Sequence, residues 1–301
     1  MIKLVECVPN FSEGKRKEVI DAIVNEARKY KVKILDLSPD ADHNRTDVTI
    51  IGEPEEVKKA VLDMAIKCVE LIDMNKHKGE HPRMGAMDVV PFVPLMNTTM
   101  DDCIELANEF AKEFSERTGV PCFLYEEAAK KPSRKNLADV RRGEFEGLKE
   151  EIGKNPEKVP DYGPNKIHPT AGATAVGARF FLIAFNVNLS TDDIKIAKEI
   201  ARAVRHSSGG YRYVKAMGFE IKERGIVQVS MNMVNYRLTP LFRVFETIKR
   251  EAERYGVNVI GSEIVGLVPM EALIDIARFY LQLENFKDGQ VLEKRLLEEM
   301  E

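Results

Sequence analysis

Cysteine is scarce in this chain, and the spacing of the cysteines that occur excludes a clustered metal site. They lie far apart, without the close pairing typical of zinc ligands. In a reducing compartment such residues are most simply small buried hydrophobes. We therefore expect four free, buried thiols: Cys7, Cys68, Cys103 and Cys122.

Long apolar runs and an excess of positive charge are also missing. No stretch approaches the roughly 20 apolar residues that span a bilayer. Glu6 interrupts the short apolar run at the N-terminus, which argues against a signal peptide. The net charge of −4 provides no basic surface for nucleic acid. We therefore expect a cytoplasmic protein that binds neither membranes nor nucleic acids.

What is present is a repeated order of elements. Apolar segments and amphipathic stretches predict the order β-α-β-β-α-β over residues 5–93 and again over residues 180–265. The segment between them, 126–170, is rich in charge and proline, with an exposed helix expected over 136–152. We predict an α/β (α+β) fold of two ferredoxin-like subdomains, 1–178 and 179–301. Their helices would lie outside, and their sheets would face each other across a ligand cleft.

The segment 77–88, HKGEHPRMGAMD, is the strongest candidate for chemistry because it precedes a buried strand with a loop full of polar groups. It matches the H-x-x-E-H pattern of zinc peptidases, but Gly79 and Pro82 disfavour the helix that this pattern requires. We therefore expect no metal. His81 is a candidate general base, since imidazole takes and returns protons near neutral pH. An ordinary surface histidine is an equally good interpretation.

Two further polar segments are candidate binding sites. Residues 36–45 combine several aspartates with Asn44 and Arg45, a pair suited to a carboxylate or an amide, although a solvated turn has the same composition. Residues 163–179 have phosphate-loop glycine spacing but lack its Lys-Ser/Thr and precede a strand, which excludes nucleotide binding. Their small side chains suit either a flat ligand or a tightly packed domain junction.

Taken together, these motifs resemble glutamate formiminotransferase, which is also the N-terminal part of formiminotransferase-cyclodeaminase. The blocks that carry the resemblance are 5–14, 44–46, 77–88, 172–174 with 177–179, 181–189 and 264–269. They cover nearly the whole chain in the same order. The resemblance implies a homodimer of two α/β subdomains with tetrahydrofolate between the facing sheets. The implied reaction moves a formimino group from N-formimino-L-glutamate to N5 of tetrahydrofolate and releases L-glutamate.

The resemblance also implies roles for residues. The family's catalytic histidine falls on His81. Ser38 stands where animal members have an aspartate, so another acid in the segment 36–42 (Asp36, Asp40 or Asp42) is expected to orient that histidine. The family's folate-binding segment falls on Gly163, Pro164, Asn165, Lys166, Ile167, His168, Pro169, Thr170, Ala171 and Gly172.

Substrate binding is expected at Asn10, Asn44 and Arg45, with the arginine holding a donor carboxylate. The cyclodeaminase half has no counterpart in the sequence, so a separate protein would deaminate the product. Three alternatives remain at this point: formyl transfer from N-formylglutamate, a folate-binding protein without turnover, and the zinc peptidase.

Overall fold

The computed structural model of the protein describes residues 2–79 and 81–300, with the side chains of 297–300 left out. It has the mixed α/β architecture that the sequence predicts, with two separate sheets. The chain divides into two compact units, Met1–Arg179 and Phe180–Glu301. No helix in the described part of the chain has the length and apolarity needed to cross a bilayer.

The first unit is built on a seven-stranded sheet. Its strands are β1 (Val5–Cys7), β2 (Asn10–Phe11), β3 (Val32–Asp40), β4 (Arg45–Gly52), β5 (Met87–Pro94), β6 (Cys122–Glu126) and β7 (Thr174–Ala178). Strands β1 and β2 share one position between β4 and β5, and β3 lies outside β4. These pairs are antiparallel, whereas β5, β7 and β6 run parallel in that order.

Helices cover the first sheet on both faces. They are α1 (Lys17–Ala27), α2 (Pro54–Leu71), α3 (Met100–Thr118), α4 (Leu137–Val140) and α5 (Glu144–Glu151). The first three bury their apolar stripes in one core together with inward residues of β4 such as Val48 and Ile50. A smaller core on residues such as Phe123 and Tyr125 packs against α4 and α5. The four cysteines are free and buried, as predicted.

The predicted helix over 136–152 is wrong in two respects. The single exposed helix over 136–152 is two helices, α4 and α5, separated at Gly143, whose φ of +88° breaks helical geometry. It is also not exposed, because Phe145 and Leu148 are buried in the smaller core. The small-residue segment before the second repeat contains strand β7, which is fully buried between β5 and β6.

The second unit is a four-stranded antiparallel sheet of order β11-β8-β10-β9. Its strands are β8 (Ile183–Leu189), β9 (Val214–Ile221), β10 (Ile226–Met233) and β11 (Val259–Val265). Its helices are α6 (Ile194–Val204), α7 (Leu241–Arg254), α8 (Met270–Leu281) and α9 (Leu292–Met300). The order β-α-β-β-α-β of β8 to β11 is the order that the sequence pattern predicts.

Candidate active site

The loop between α2 and β5 carries His81 and is fixed through its backbone. Ala86 N–H donates to the Ala171 carbonyl at 2.8 Å, and Ala173 N–H donates to the Met84 carbonyl at 3.0 Å. At the start of the loop, Met74 N–H donates to the Thr170 carbonyl at 2.8 Å. The structure therefore brings together two segments that the sequence singles out separately, the histidine loop and the end of 163–172.

Glycines allow these backbones to approach. A Cβ atom on Gly79 would lie 2.2 Å from the His43 carbonyl oxygen, and one on Gly85 would lie 2.0 Å from the Ala173 carbonyl oxygen. Real Cβ atoms do not come this close to backbone oxygen, so neither position accepts a side chain without a shift. The two glycines hold the loop between the β3–β4 hairpin and the 171–173 backbone.

The His81 ring is oriented by a backbone carbonyl and an arginine. Nδ1 lies 2.6 Å from the Pro82 carbonyl oxygen, which can only accept, and on this contact we assign the proton to Nδ1, which leaves Nε2 unprotonated and able to accept from Arg45. Nη1 of Arg45 lies against the same ring edge, 2.9 Å from Nδ1 and within hydrogen-bond distance of Nε2. The result is a neutral imidazole whose basic nitrogen faces a guanidinium.

Burial and positive charge keep this imidazole neutral. The His81 pKa is lowered to about 4, first by burial and then by the charges of Arg45 and Arg141, while Asp88 acts in the opposite direction. Burial also lowers the pKa of His77, whose Nε2 donates to the Asn44 carbonyl at 2.8 Å. At neutral pH His81 can therefore accept a proton but has none to give from Nε2.

Asp47 holds the Arg45 guanidinium in place. Its Oδ1 accepts from Nε of Arg45 at 3.0 Å and lies 3.0 Å from Nη2, which leaves Nη1 for His81. On the neighbouring strands Ser38 and Asn10 are the residues directly opposite Asp47, so the three side chains share one sheet face. The amide of Asn10 donates to the Val8 carbonyl at 3.1 Å.

Asp36 and Asp40 of the 36–42 segment bind elsewhere. Asp36 accepts from the Ser38 hydroxyl at 2.8 Å, and Asp40 pairs with Nδ1 of His43 at 2.7 Å while accepting from two backbone N–H groups. The His43 ring lies edge-on to the His81 ring at 6.1 Å. The bonds described for the His81 ring go to the Pro82 carbonyl and to Arg45, so Asp36 and Asp40 make no described bond to that ring.

Asn44 joins three segments around the site. Its backbone has a positive φ of +50°, its side-chain oxygen accepts from Gly14 N–H at 2.9 Å, and its amide donates to the Lys78 carbonyl at 2.9 Å. Asparagine tolerates this left-handed conformation better than most residues. Asn44 thereby positions the adjoining Arg45 relative to the histidine loop.

The segment 163–172 is shaped by its own turn and by close packing. The Nδ1 atom of His168 accepts from Ala171 N–H at 3.0 Å, and burial lowers the His168 pKa. Gly163 and Gly172 have positive φ values of +89° and +75°. A Cβ on Gly172 would lie 2.3 Å from the Met84 carbonyl oxygen, so this glycine allows contact with the histidine loop.

Sequence reasoning missed one charged group at the site, Arg141. Its Nη2 pairs with Oδ2 of Asp88, whose Oδ1 accepts from Met84 N–H at 2.8 Å. Arg141 follows α4, far along the chain from the loop that it supports, in a segment read as an exposed helix. No local pattern marks it, since only the packing of α4 and α5 on the sheet brings it close.

The described residues of the H-x-x-E-H motif, 77–79 and 81, are not helical. Both histidines lie in the loop before β5, and His77 Nε2 is engaged by a backbone carbonyl. Over 2–79 and 81–300, no group of three or more His, Cys, Asp and Glu side chains is arranged to hold a metal ion.

The fold and the site define an α/β protein with a neutral loop histidine paired to an arginine, an arrangement suited to moving protons. Comparison with known proteins agrees with the resemblance in the sequence. The formiminotransferase domain, N-terminal subdomain, matches residues 4–179, and the formiminotransferase domain matches residues 184–298. The chain belongs to the formiminotransferase family, and it is a transferase.

Its relatives include single-activity and fused proteins. Glutamate formimidoyltransferase of Streptococcus pyogenes serotype M1 is 53% identical over 99% of this chain and 100% of its own length. That of Thermoplasma acidophilum is 47% identical over 98% of each chain. Formimidoyltransferase-cyclodeaminase of Gallus gallus is 45% identical over 95% of this chain but only 54% of its own length.

Proposed function

We propose that this protein transfers the formimino group from N-formimino-L-glutamate to N5 of tetrahydrofolate, giving 5-formiminotetrahydrofolate and L-glutamate. The observation that carries the proposal is the bare Nε2 of His81 beside Arg45, in a chain 53% identical to a glutamate formimidoyltransferase. The names of the relatives do not favour formyl transfer from N-formylglutamate.

The proposed chemistry needs one group that both accepts and returns a proton. N5 of tetrahydrofolate attacks the amidine carbon of the donor, and a carbon–nitrogen bond forms. Nε2 of His81 takes the proton that N5 loses. The bond from the amidine carbon to the glutamate nitrogen then breaks, and the imidazolium returns the proton to that nitrogen. Such catalysis contributes about 10²–10⁴-fold to the rate.

Arg45 links donor binding to the basicity of His81. With no anion bound, its charge is one reason for the low His81 pKa. A donor carboxylate on the guanidinium offsets that charge and draws Nη1 from the ring. The lone pair of Nε2 is then free and the His81 pKa rises by the part that the Arg45 charge had lowered it, while burial still holds it below its ordinary value. The histidine thus becomes an effective base when substrate is present.

The remaining predicted contacts are part of the same proposal. We propose that 163–172 binds tetrahydrofolate, supported by its backbone bonds to the histidine loop. Asn10 and Arg45 are proposed to contact the donor, and Asn10 shares a sheet face with Asp47. Asn44 is also predicted to contact the donor, in addition to the structural bonds that its amide already makes.

The proposal extends to assembly and location. We propose a homodimer in the cytoplasm, on the strength of the family resemblance. Size-exclusion chromatography with light scattering tests the dimer, and a monomer at micromolar concentration contradicts it.

The decisive test is release of L-glutamate from N-formimino-L-glutamate, measured with and without tetrahydrofolate. We expect His81→Ala to lower turnover by about 10²–10⁴-fold while tetrahydrofolate still binds. His206→Ala, which removes an exposed imidazole from the second unit, is the matched control and leaves turnover unchanged. Near-native turnover by the His81 variant contradicts the assignment.

The same assay separates the alternatives. Faster glutamate release from N-formylglutamate than from the formimino donor would indicate formyl transfer. Tight binding of tetrahydrofolate without release from either donor would indicate a binding protein without turnover.

A further inference from the structure

Arg141 is a largely buried guanidinium with an unused donor. Its side chain is 12% exposed, and its Nη2 pairs with Asp88, whose side chain is 2% exposed. In the part of the chain that the structure describes, its buried Nε has no hydrogen-bond partner. A buried N–H without a partner is costly, so such groups in native proteins call for an explanation. One explanation is that a bound ligand supplies the hydrogen-bond acceptor for Nε–H.

The position of Arg141 indicates the ligand. Asp88 ties it to Met84 in the histidine loop, and its charge is felt at His81 together with that of Arg45. Both guanidinium charges therefore act on the same imidazole, and each guanidinium is paired with one carboxylate of the protein. Two cations near one base suit a substrate with two anionic groups, and guanidinium favours carboxylate in a two-pronged contact.

The chemistry of the proposed donor divides its carboxylates between the two arginines. The nitrogen that leaves is bonded to the α-carbon, so the α-carboxylate stays close to His81 while that nitrogen is protonated. Arg45, which touches the ring, is placed for this group. The γ-carboxylate lies further along the side chain, towards the cation that acts on His81 without a described bond to it.

We propose that Arg141 binds the γ-carboxylate of the donor and so selects glutamate over amino acids that lack a second carboxylate. This inference rests on the proposed function and deepens it. We expect the guanidinium to shift on binding so that its enclosed Nε–H, together with the Nη that Asp88 does not bind, reaches the carboxylate and Nε–H gains its acceptor. Arg141 is then a binding residue that determines specificity and takes no part in proton transfer.

Calorimetric binding of L-glutamate and L-glutamine, which differ only in the γ group, tests the proposal without requiring turnover. We expect Arg141→Ala to weaken glutamate binding by about 10- to 100-fold and to leave glutamine binding unchanged. Arg141→Lys keeps the charge beside Asp88 but loses the planar fork, and it is also expected to lose selectivity. The matched control is Arg142→Ala, at a neighbouring side chain that is 79% exposed. We expect this variant to keep the selectivity for glutamate over glutamine.

The ratio of the two affinities is independent of the fraction of folded protein, so partial unfolding of the alanine variant does not obscure the result. Equal loss of glutamate and glutamine binding overturns the proposal. A raised KM for tetrahydrofolate with an unchanged donor KM also overturns it and places Arg141 on the folate's glutamate tail. If the wild type releases no glutamate but Arg141 still selects it, the proposed function fails and the specificity site stands.

Discussion

At the scale of single residues, the central feature is an imidazole kept neutral by an arginine. The folded-state pKa of His81 lies below its ordinary value, so the free protein keeps a basic nitrogen down to about pH 4. In the proposed reaction, kcat/KM reports the ionisation of the free enzyme. The fall of kcat/KM on the acid side of its pH profile (the acid limb) should therefore lie far below the pH at which an ordinary histidine protonates.

Replacing Arg45 should move that limb. We expect Arg45→Gln to raise the His81 pKa, because a cation beside the ring is lost, and to shift the acid limb of kcat/KM to higher pH. We also expect a higher donor KM. The measurements are a pH–rate profile and an NMR titration of the imidazole. Arg28→Gln, at an exposed arginine after α1, is the control, and an unmoved limb in the Arg45 variant removes Arg45 from the site.

Some of these residues could be predicted and others could not. His81 and Arg45 stand in polar segments beside apolar strands, a local pattern that is visible in sequence. Their contact is set by the fold, and so are the roles of the Pro82 carbonyl and Asp47. Arg141 could not be found, because its place depends on how a charged segment folds back on a sheet.

At the scale of elements, the histidine loop depends on glycine. We expect Gly79→Ala to destabilise the protein by about 1–3 kcal/mol, because the new Cβ meets the His43 carbonyl at 2.2 Å. The loop must move, and a displacement of about 1 Å at a catalytic group costs about 10²-fold in rate. Urea unfolding and the glutamate-release assay measure the two effects.

Gly147 provides the matched control. It lies in α5 with nothing within 4 Å of its Cβ position, so alanine there should leave activity unchanged and add up to about 1 kcal/mol of stability. If the two alanine variants behave alike, close backbone packing is not what holds the loop.

Helix ends with local chemistry were predictable, whereas elements made by tertiary contacts were not. Thr99 and Asp102, three residues apart at the start of α3, form a capping box of the kind that is visible in sequence. Strand β7 was not predicted because its side chains are small and give no β-strand signal. They must be small because β7 packs closely against β6: a Cβ at Gly177 would lie 2.6 Å from the Tyr125 ring. Helix α1 begins only at Lys17, because the Glu13 carboxylate accepts the backbone N–H groups of Lys15 and Arg16 before it.

At the scale of the whole molecule, one buried acid should make stability depend on pH. Burial raises the pKa of Glu6 to about 7, against the opposing charge of Arg179. The unfolded chain ionises this group from about pH 4.5, whereas the folded protein resists until about pH 7. Stability is therefore lost as pH rises through this window and stays lower above it.

We expect Glu6→Gln to raise the free energy of unfolding at pH 8 by up to about 3 kcal/mol and to have little effect at pH 4. Urea unfolding followed by circular dichroism at both pH values measures this difference. Asp21→Asn, at an exposed acid on α1, serves as the control. An equal effect of the substitution at both pH values would show that the pKa of Glu6 is not raised in the folded protein.

The large-scale order of the chain followed from sequence because both repeats place apolar strands and amphipathic helices in clear alternation. The parallel pairing that joins β6 and β7 to the first sheet did not, since it links segments that are far apart along the chain.

The backbone anchors of the histidine loop have a consequence for biosynthesis. The loop emerges from the ribosome early, but Thr170, Ala171 and Ala173, which tie it down, are translated much later. A nascent chain that has been synthesised past His81 but not as far as Thr170 contains the histidine loop but lacks the backbone groups that fix it. The order of synthesis thus delays catalytic competence until the first unit is nearly finished.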